Sequence, residues 1–107
     1  MTVDLQELMD LINARYVFND ANYPALEKAS VMEKMIFSID HSVKHMNKAI
    51  GAICAETESY DHGGAFSTES IKTATVKMLI NTLKLAEELG MTAKYLAEEV
   101  PKIMKSK

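Results

Sequence analysis

The segment from Met32 to Ile53 constrains the fold more than any other part of the chain. It contains no proline, and its apolar residues recur at steps of four and three: Met32, Ile36, Ile39, Val43, Met46, Ile50 and Ile53. This spacing predicts one apolar stripe on an α-helix, because a half-buried strand would show strict alternation. We expect the stripe to face the core, so that Ile39, Val43 and Met46 are buried.

The opposite face of the same segment is polar, and it includes two histidines one helical turn apart. Its residues again lie three or four apart: Lys34, Ser38, His41, His45, Lys48 and Glu56. A solvated surface is the simplest interpretation of such a face, and a binding site is the alternative. On the first interpretation, replacement of His41 by alanine would leave stability nearly unchanged.

Apolar periodicity also predicts one helix before this one and two after it, and end signals place the boundaries. A first helix covers residues 2–16, where Asp4 and Glu7 have the spacing of a capping box. A loop then leads to Pro24, which suits the first turn of the long helix at about residues 25–59. Gly51 is the weakest point of that helix, because glycine costs about 1 kcal/mol relative to alanine there.

The second half of the chain predicts two more helices. One begins at Ser67 or Thr68 and ends at Gly90, which we expect in the left-handed conformation. It is apolar over most of its circumference and leaves a polar strip: Lys77, Asn81, Lys84 and Glu88. Thr92 caps a last helix, which we expect Pro101 to break or kink.

Length and composition limit the class of protein. The 107 residues suit a single domain, residues 1–107, built as an all-α antiparallel bundle of three to four helices with one long central helix. The net charge is −3 and no basic block occurs, which argues against a nucleic-acid partner. No apolar run approaches the ~20 residues that span a bilayer, so we expect no membrane association and a cytoplasmic location.

Two further expectations follow from the same composition. Cys54 is the only cysteine, so an internal disulfide is excluded, and its position beside the apolar stripe predicts a small buried side chain. So short a chain has little with which to cover its apolar third helix. We therefore expect a homo-oligomer, most simply a dimer of long helices.

The chain also resembles a known superfamily. Residues 76–105, VKMLINTLKLAEELGMTAKYLAEEVPKIMK, resemble the final helix pair of the MazG-like all-α nucleotide pyrophosphohydrolases. The opening DLQELMDLINARY and the long helix ending in KAIG are similar as well. The resemblance implies a MazG-like bundle and magnesium-dependent hydrolysis of nucleoside triphosphates. It also implies acidic metal ligands in a Glu-Glu-x-x-Glu set and a Glu-x-x-Asp set on successive helices.

The sequence departs from that family at the acidic ligands. Ala74 and Lys77 occupy the positions of the Glu-x-x-Asp pair, and a lysine there would repel a divalent cation. The matched part of the long helix offers one carboxylate, Asp40. We therefore expect no magnesium site of the family's kind. If a metal binds, the residues favour zinc through His41 and His45, with Asp61 or His62 as further ligands.

Two functions remain open at this point. The first is a homologue with a degenerate metal site and no cofactor, which binds a phosphorylated small molecule or a partner. Its candidate residues are Asp40, His41, Lys44, His45, Lys48, Glu56, Glu58, Asp61, His62 and Lys77. The second is an active house-cleaning nucleotide pyrophosphohydrolase that uses magnesium in a rearranged site built from Asp40, His41, His45, Glu56, Glu58 and Asp61. A basic or mixed pocket favours the first, whereas the second requires three converging carboxylates.

Overall fold

The computed structural model describes residues 2–106, and within them every regular element is helical. The four α-helices are α1 (Leu5–Arg15), α2 (Val31–Asp61), α3 (Thr68–Glu88) and α4 (Ala93–Lys105). A short 3-10 helix, Pro24–Leu26, lies between α1 and α2. The predicted all-α class and the long second helix are confirmed. None of the helices described is long and apolar enough to cross a membrane.

Each α-helix is preceded by an N-cap residue whose side chain accepts a hydrogen bond from a backbone N–H of the first turn. This bond stabilises the start of the helix. The caps are Asp4 in α1, Ser30 in α2, Ser67 in α3 and Thr92 in α4. Ser30 forms a full capping box with Glu33. The predicted start of the long helix near residue 25 is therefore wrong, because Pro24 begins the 3-10 helix and the capping box sets a later start.

The end of α3 follows its sequence signal closely. Gly90 has φ of +74°, and its N–H donates to the carbonyl of Glu87 at 3.0 Å. The N–H of Met91 donates to the carbonyl of Ala86 at 2.8 Å. These two bonds form a Schellman motif, which favours glycine in the left-handed position. The predicted cap at Gly90 is confirmed.

Two predicted weak points do not interrupt their helices. α2 is continuous through Gly51, and α4 continues past Pro101 to Lys105. Pro101 was expected to break or kink α4, and the break is wrong, because the helix continues although this exposed proline cannot donate a backbone hydrogen bond. The bonds on either side of it keep the helix intact.

The buried core joins α1 to α3 and is small. It consists of Met9, Ile12, Leu83 and Ala86, with Leu8, Ile80, Met91, Ala93 and Leu96 packed against it. α2 packs along α3 instead. The buried positions of α2 are all small side chains, Ser38, Ser42 and Ala49, and α3 has the small residue Ala74 buried as well. Small residues allow α2 and α3 to approach closely. Because α1 and α2 both pack on α3, α3 lies between them.

The rotation of α2 differs from the prediction. Ile39 and Val43 are 37% and 39% exposed, and Met46 is half-buried. The large apolar stripe was expected to be the packing face, but the buried residues of α2 lie about a quarter turn away, on the line of Ser38, Ser42 and Ala49. Cys54, expected to be buried, is exposed on the same helix.

The polar strip of α3 is also placed differently from what its pattern suggests. Lys84 is only 3% exposed, and its ammonium donates hydrogen bonds to the side chains of Asn13 and Glu88. The polar sides of α2 and α3 thus contribute to the interior, while much of their apolar surface is exposed.

Candidate functional site

A cleft of about 850 Å³ lies between α2 and α3. α2 contributes His41, His45, Lys48, Ala49 and Ala52, and α3 contributes Glu69, Ser70, Thr73, Ala74, Lys77, Ile80, Asn81 and Lys84. Tyr16, Phe18 and Tyr23, from the end of α1 and the loop after it, complete the lining. Four of the candidate residues predicted from the sequence are therefore brought together here: His41, His45, Lys48 and Lys77.

One part of the lining belongs to an aromatic cluster around His41. The ring centroid of His41 lies 5.2 Å from Phe18, 5.0 Å from Tyr23 and 5.3 Å from Phe37. The Phe37 ring is nearly parallel to the imidazole, at 20°. The hydroxyl of Tyr23 and Nε2 of His41 are 3.4 Å apart, a weak hydrogen bond. His41 is therefore half-buried and contacts the loop before α2, and it is not the fully exposed side chain that we expected.

These surroundings change the acidity of His41. Burial lowers the pKa of its imidazole, and nearby His45 and Lys44 lower it further, while Asp40 opposes them. Desolvation penalises the charged form of a histidine, and neighbouring cations do the same. These surroundings therefore favour the neutral form of the His41 ring, which suits its position among three aromatic rings.

Lys84 contacts one ring of the aromatic cluster. Its Nζ donates hydrogen bonds to Oδ1 of Asn13 at 2.7 Å and to Oε1 of Glu88 at 2.6 Å. The same atom is 4.5 Å from the centroid of the Phe18 ring, within the range of a cation–π interaction. The ammonium is thus occupied by protein groups, and its role in the cleft is to position Phe18.

Next to the aromatic cluster, the lining is positively charged or basic. His45 adjoins His41, with ring centroids 4.6 Å apart. The exposed side chains of Lys48 and Lys77 line the same cleft from facing helices. Glu69 is the single carboxylate among the lining residues. The cleft thus combines aromatic rings with two histidines and the two exposed lysines, Lys48 and Lys77.

The other candidate residues lie outside the lining. Asp40 and Lys44 pair with each other on the exposed face of α2 at 2.7 Å. Glu58 lies 4.0 Å from His62 at the exposed end of the same helix, and Asp61 is exposed beside them.

The side chain of Glu56 makes a structural contact between two helices. Its Oε1 accepts the backbone N–H of Ser67 at 2.6 Å, which ties the start of α3 to α2. Its carboxylate is therefore committed to a contact within the protein. The residues expected to form one acidic site are instead distributed over three parts of the surface.

The histidine pair bears on the zinc hypothesis. His41 and His45 are adjacent, but within residues 2–106 no three His, Cys, Asp or Glu side chains are grouped so that they would hold a metal ion. Asp61 is the last residue of α2 and His62 is its C-cap, and neither of these two further candidate ligands lines the cleft. Zinc binding at the histidine pair thus stays a prediction.

Sequence reasoning missed Phe18, Tyr23 and Lys84. The loop VFNDANYP contains two aromatic residues among turn formers, and this was the available signal.

The chain matches no protein-family model, no curated protein and no solved structure. The resemblance to the MazG-like superfamily therefore remains a prediction.

Proposed function

We propose that the chain binds a small phosphorylated molecule in the cleft between α2 and α3. The observation that supports this most is the pair of exposed lysines, Lys48 and Lys77, which line one cleft from facing helices together with His45. Lysine ammonium groups make strong charge-assisted hydrogen bonds to phosphate oxygens. A volume of about 850 Å³ falls within the range of small-molecule sites.

The aromatic residues favour a ligand that carries a flat ring as well as a phosphate. Phe18 and Tyr23 line the cleft along with the cationic side chains. A base packed near these rings would leave its phosphate groups near Lys48 and Lys77. A nucleotide has this combination of groups, and it is also the ligand class that the MazG-like resemblance implies. We propose the cytoplasm as the place where such a ligand is met.

The alternative is an active nucleotide pyrophosphohydrolase with magnesium in a rearranged site. It requires at least three carboxylates that converge on one metal, because magnesium prefers hard oxygen ligands in octahedral geometry. Glu69 is the one carboxylate of the cleft lining, and Asp40, Glu56 and Glu58 make other contacts. The mixed, mainly basic lining favours the binding function.

Isothermal titration calorimetry with a nucleotide panel, with and without magnesium, tests the proposal. We expect at least one nucleotide to bind without magnesium. Lys48→Ala and Lys77→Ala should each weaken binding by roughly tenfold or more, the effect of losing a hydrogen bond to a charged group. Lys94→Ala, an exposed lysine on α4, is the matched control and should leave the affinity unchanged.

Two results would contradict the binding proposal. The first is the absence of heat with every nucleotide. The second is equal affinity in Lys48→Ala, Lys77→Ala and Lys94→Ala. Release of pyrophosphate that depends on magnesium would support the enzymatic alternative.

A further inference from the structure

We propose that two copies of this chain pair through one face of α2. This face, the α2 seam, consists of Met32, Ile36, Ile39, Val43, Met46, Ile50 and Ile53. The proposal goes beyond the ligand-binding function and does not depend on it. It assigns a surface to the self-association that composition alone led us to expect.

The spacing of the α2 seam is that of a coiled coil. Its steps alternate strictly between four and three over three heptads. A helix that packs into a globular core usually has a wider apolar face, whereas a strict two-in-seven pattern is the narrower seam of paired helices. In a heptad labelled a to g, the a positions hold Ile36, Val43 and Ile50. β-Branched residues are favoured at the a positions of two-stranded parallel coiled coils.

The α2 seam is also largely uncovered in the folded chain. Met32 is 64% exposed and Ile36 is 58% exposed, and Ile39, Val43 and Ile50 are exposed as well. The buried positions of α2 are instead Ser38, Ser42 and Ala49, about a quarter turn around the helix. Met46 and Ile53 are the half-buried members of the seam, and the Sδ of Met46 lies 3.3 Å from the hydroxyl of Thr82 on α3.

The size of the exposed surface is consistent with a missing partner. The accessible surface is 7964 Å², whereas a compact monomer of 11.9 kDa has about 6,000 Å². The radius of gyration is 16.7 Å, against about 13 Å for a compact domain of this length. The surplus, about 2,000 Å² over the whole chain, exceeds the ~800 Å² that each partner buries in an interface of standard size.

The charges around the α2 seam favour a second copy over a membrane surface. Glu33 and Asp40 lie on its exposed flank beside Lys44, and the chain carries a net charge of −3. A helix that binds an anionic bilayer instead has a polar face rich in lysine and arginine. The cleft residues His41 and Lys48 lie on the opposite flank of α2, so pairing through the seam leaves the cleft open.

Sedimentation equilibrium at micromolar concentration tests the proposal. The wild-type chain should have twice the monomer mass of 11.9 kDa. Ile39→Asp and Val43→Asp each place a charge in the paired surface. The dissociation constant of the dimer should therefore rise by about tenfold or more. Ala55→Asp adds the same charge at an exposed position of α2 away from the seam and should leave the mass unchanged. A monomeric wild type overturns the proposal, and so do seam variants whose dimers dissociate at the same concentration as the wild type.

A second measurement holds even if the seam variants fail to fold. In a Cys54→Ser background, single cysteines are introduced by Val43→Cys and by Ala55→Cys, and both are treated with a short bis-maleimide. Val43→Cys should give covalent dimers, because this position is near the middle of the seam, and Ala55→Cys should give almost none. Equal cross-linking of the two variants would show that the copies do not meet through this face.

Discussion

The ammonium of Lys84 on α3 and the side-chain oxygen of Asn13 on α1 are 2.7 Å apart, although 71 residues separate them in the sequence. Glu88 accepts a second hydrogen bond from the same Nζ, and the Phe18 ring lies over it. A buried lysine is tolerated when partners satisfy its charge and its hydrogens. Lys84 therefore links α1, α3 and the loop that lines the cleft.

Lys84→Met should destabilise the protein by about 1–3 kcal/mol, because it leaves Asn13 and Glu88 without their buried donor. Methionine keeps most of the apolar stem, so the effect reports the lost ammonium and not a cavity. Urea unfolding followed by circular dichroism measures the change. Lys94→Met at an exposed position is the control, with an expected effect within about 0.5 kcal/mol. A Lys84→Met variant as stable as the wild type would mean that the network contributes nothing.

Ser42→Ala should stabilise the protein by about 1 kcal/mol. The Oγ of Ser42 is buried, and it has no hydrogen-bond partner among the residues described. Burial of an unpaired hydroxyl costs about 1–3 kcal/mol, and alanine removes that cost with little loss of volume. Ser38→Ala is the matched control on the same face, because the Ser38 hydroxyl donates to the carbonyl of Lys34 at 2.9 Å. If thermal unfolding shows equal effects for both variants, the unpaired hydroxyl is not the cause.

A pair of glycine variants should shift stability in opposite directions. Gly51→Ala should stabilise α2 by roughly 0.5–1 kcal/mol, since the site is helical and its added Cβ meets nothing within 4 Å. Gly90→Ala should destabilise by about 1 kcal/mol, because Gly90 has φ of +74° and the space around it is also open. Denaturant midpoints measure both changes. Stabilisation by Gly90→Ala would contradict the role of backbone conformation at this cap.

The local features of the fold were predictable from the sequence, and the reason is physical. A capping side chain such as Ser67 and a terminating glycine such as Gly90 act on backbone groups within a few residues. Their effect therefore does not depend on tertiary packing. The start of α2 was misplaced because Pro24 favours the first turn of a 3-10 helix as well as of an α-helix.

The rotation of α2 was not predictable in the same way. An apolar stripe indicates that Ile39 and Val43 favour an environment away from water, but it does not identify what covers them. A domain core and a second chain satisfy the same pattern. The small residues Ser38, Ser42 and Ala49 carry no strong hydrophobic signal, yet they allow the close approach of α3.

The candidate site was predictable only in its helical part. His41, His45 and Lys48 share a helical face, and local spacing therefore groups them. Phe18, Tyr23 and Lys84 reach the cleft through tertiary packing, which spacing does not reveal. Glu56 was grouped with them on the same basis, but its carboxylate instead accepts the backbone N–H of Ser67.

His41 should make stability depend on pH in the mildly acidic range. Its pKa in the folded protein is below the ordinary 6.5, first because of burial and then because of His45 and Lys44, with Asp40 opposing. The unfolded chain therefore binds a proton at His41 more readily than the folded one does. By linkage, this stabilisation is fully present above about pH 6.5 and is lost as pH falls through the lowered pKa. Thermal unfolding between about pH 8 and pH 5 should show this loss in the wild type.

His41→Phe isolates this contribution, because it keeps an aromatic ring beside Phe18, Tyr23 and Phe37 but removes the titrating group. The other ionisable groups remain, so the difference between the two pH profiles reports His41. We expect the His41→Phe profile to be flatter than the wild-type profile in that range. His62→Gln, at an exposed histidine on the turn after α2, should keep the wild-type slope. Identical slopes for His41→Phe and the wild type would show that His41 is solvated in the folded protein and that the aromatic cluster does not hold it neutral.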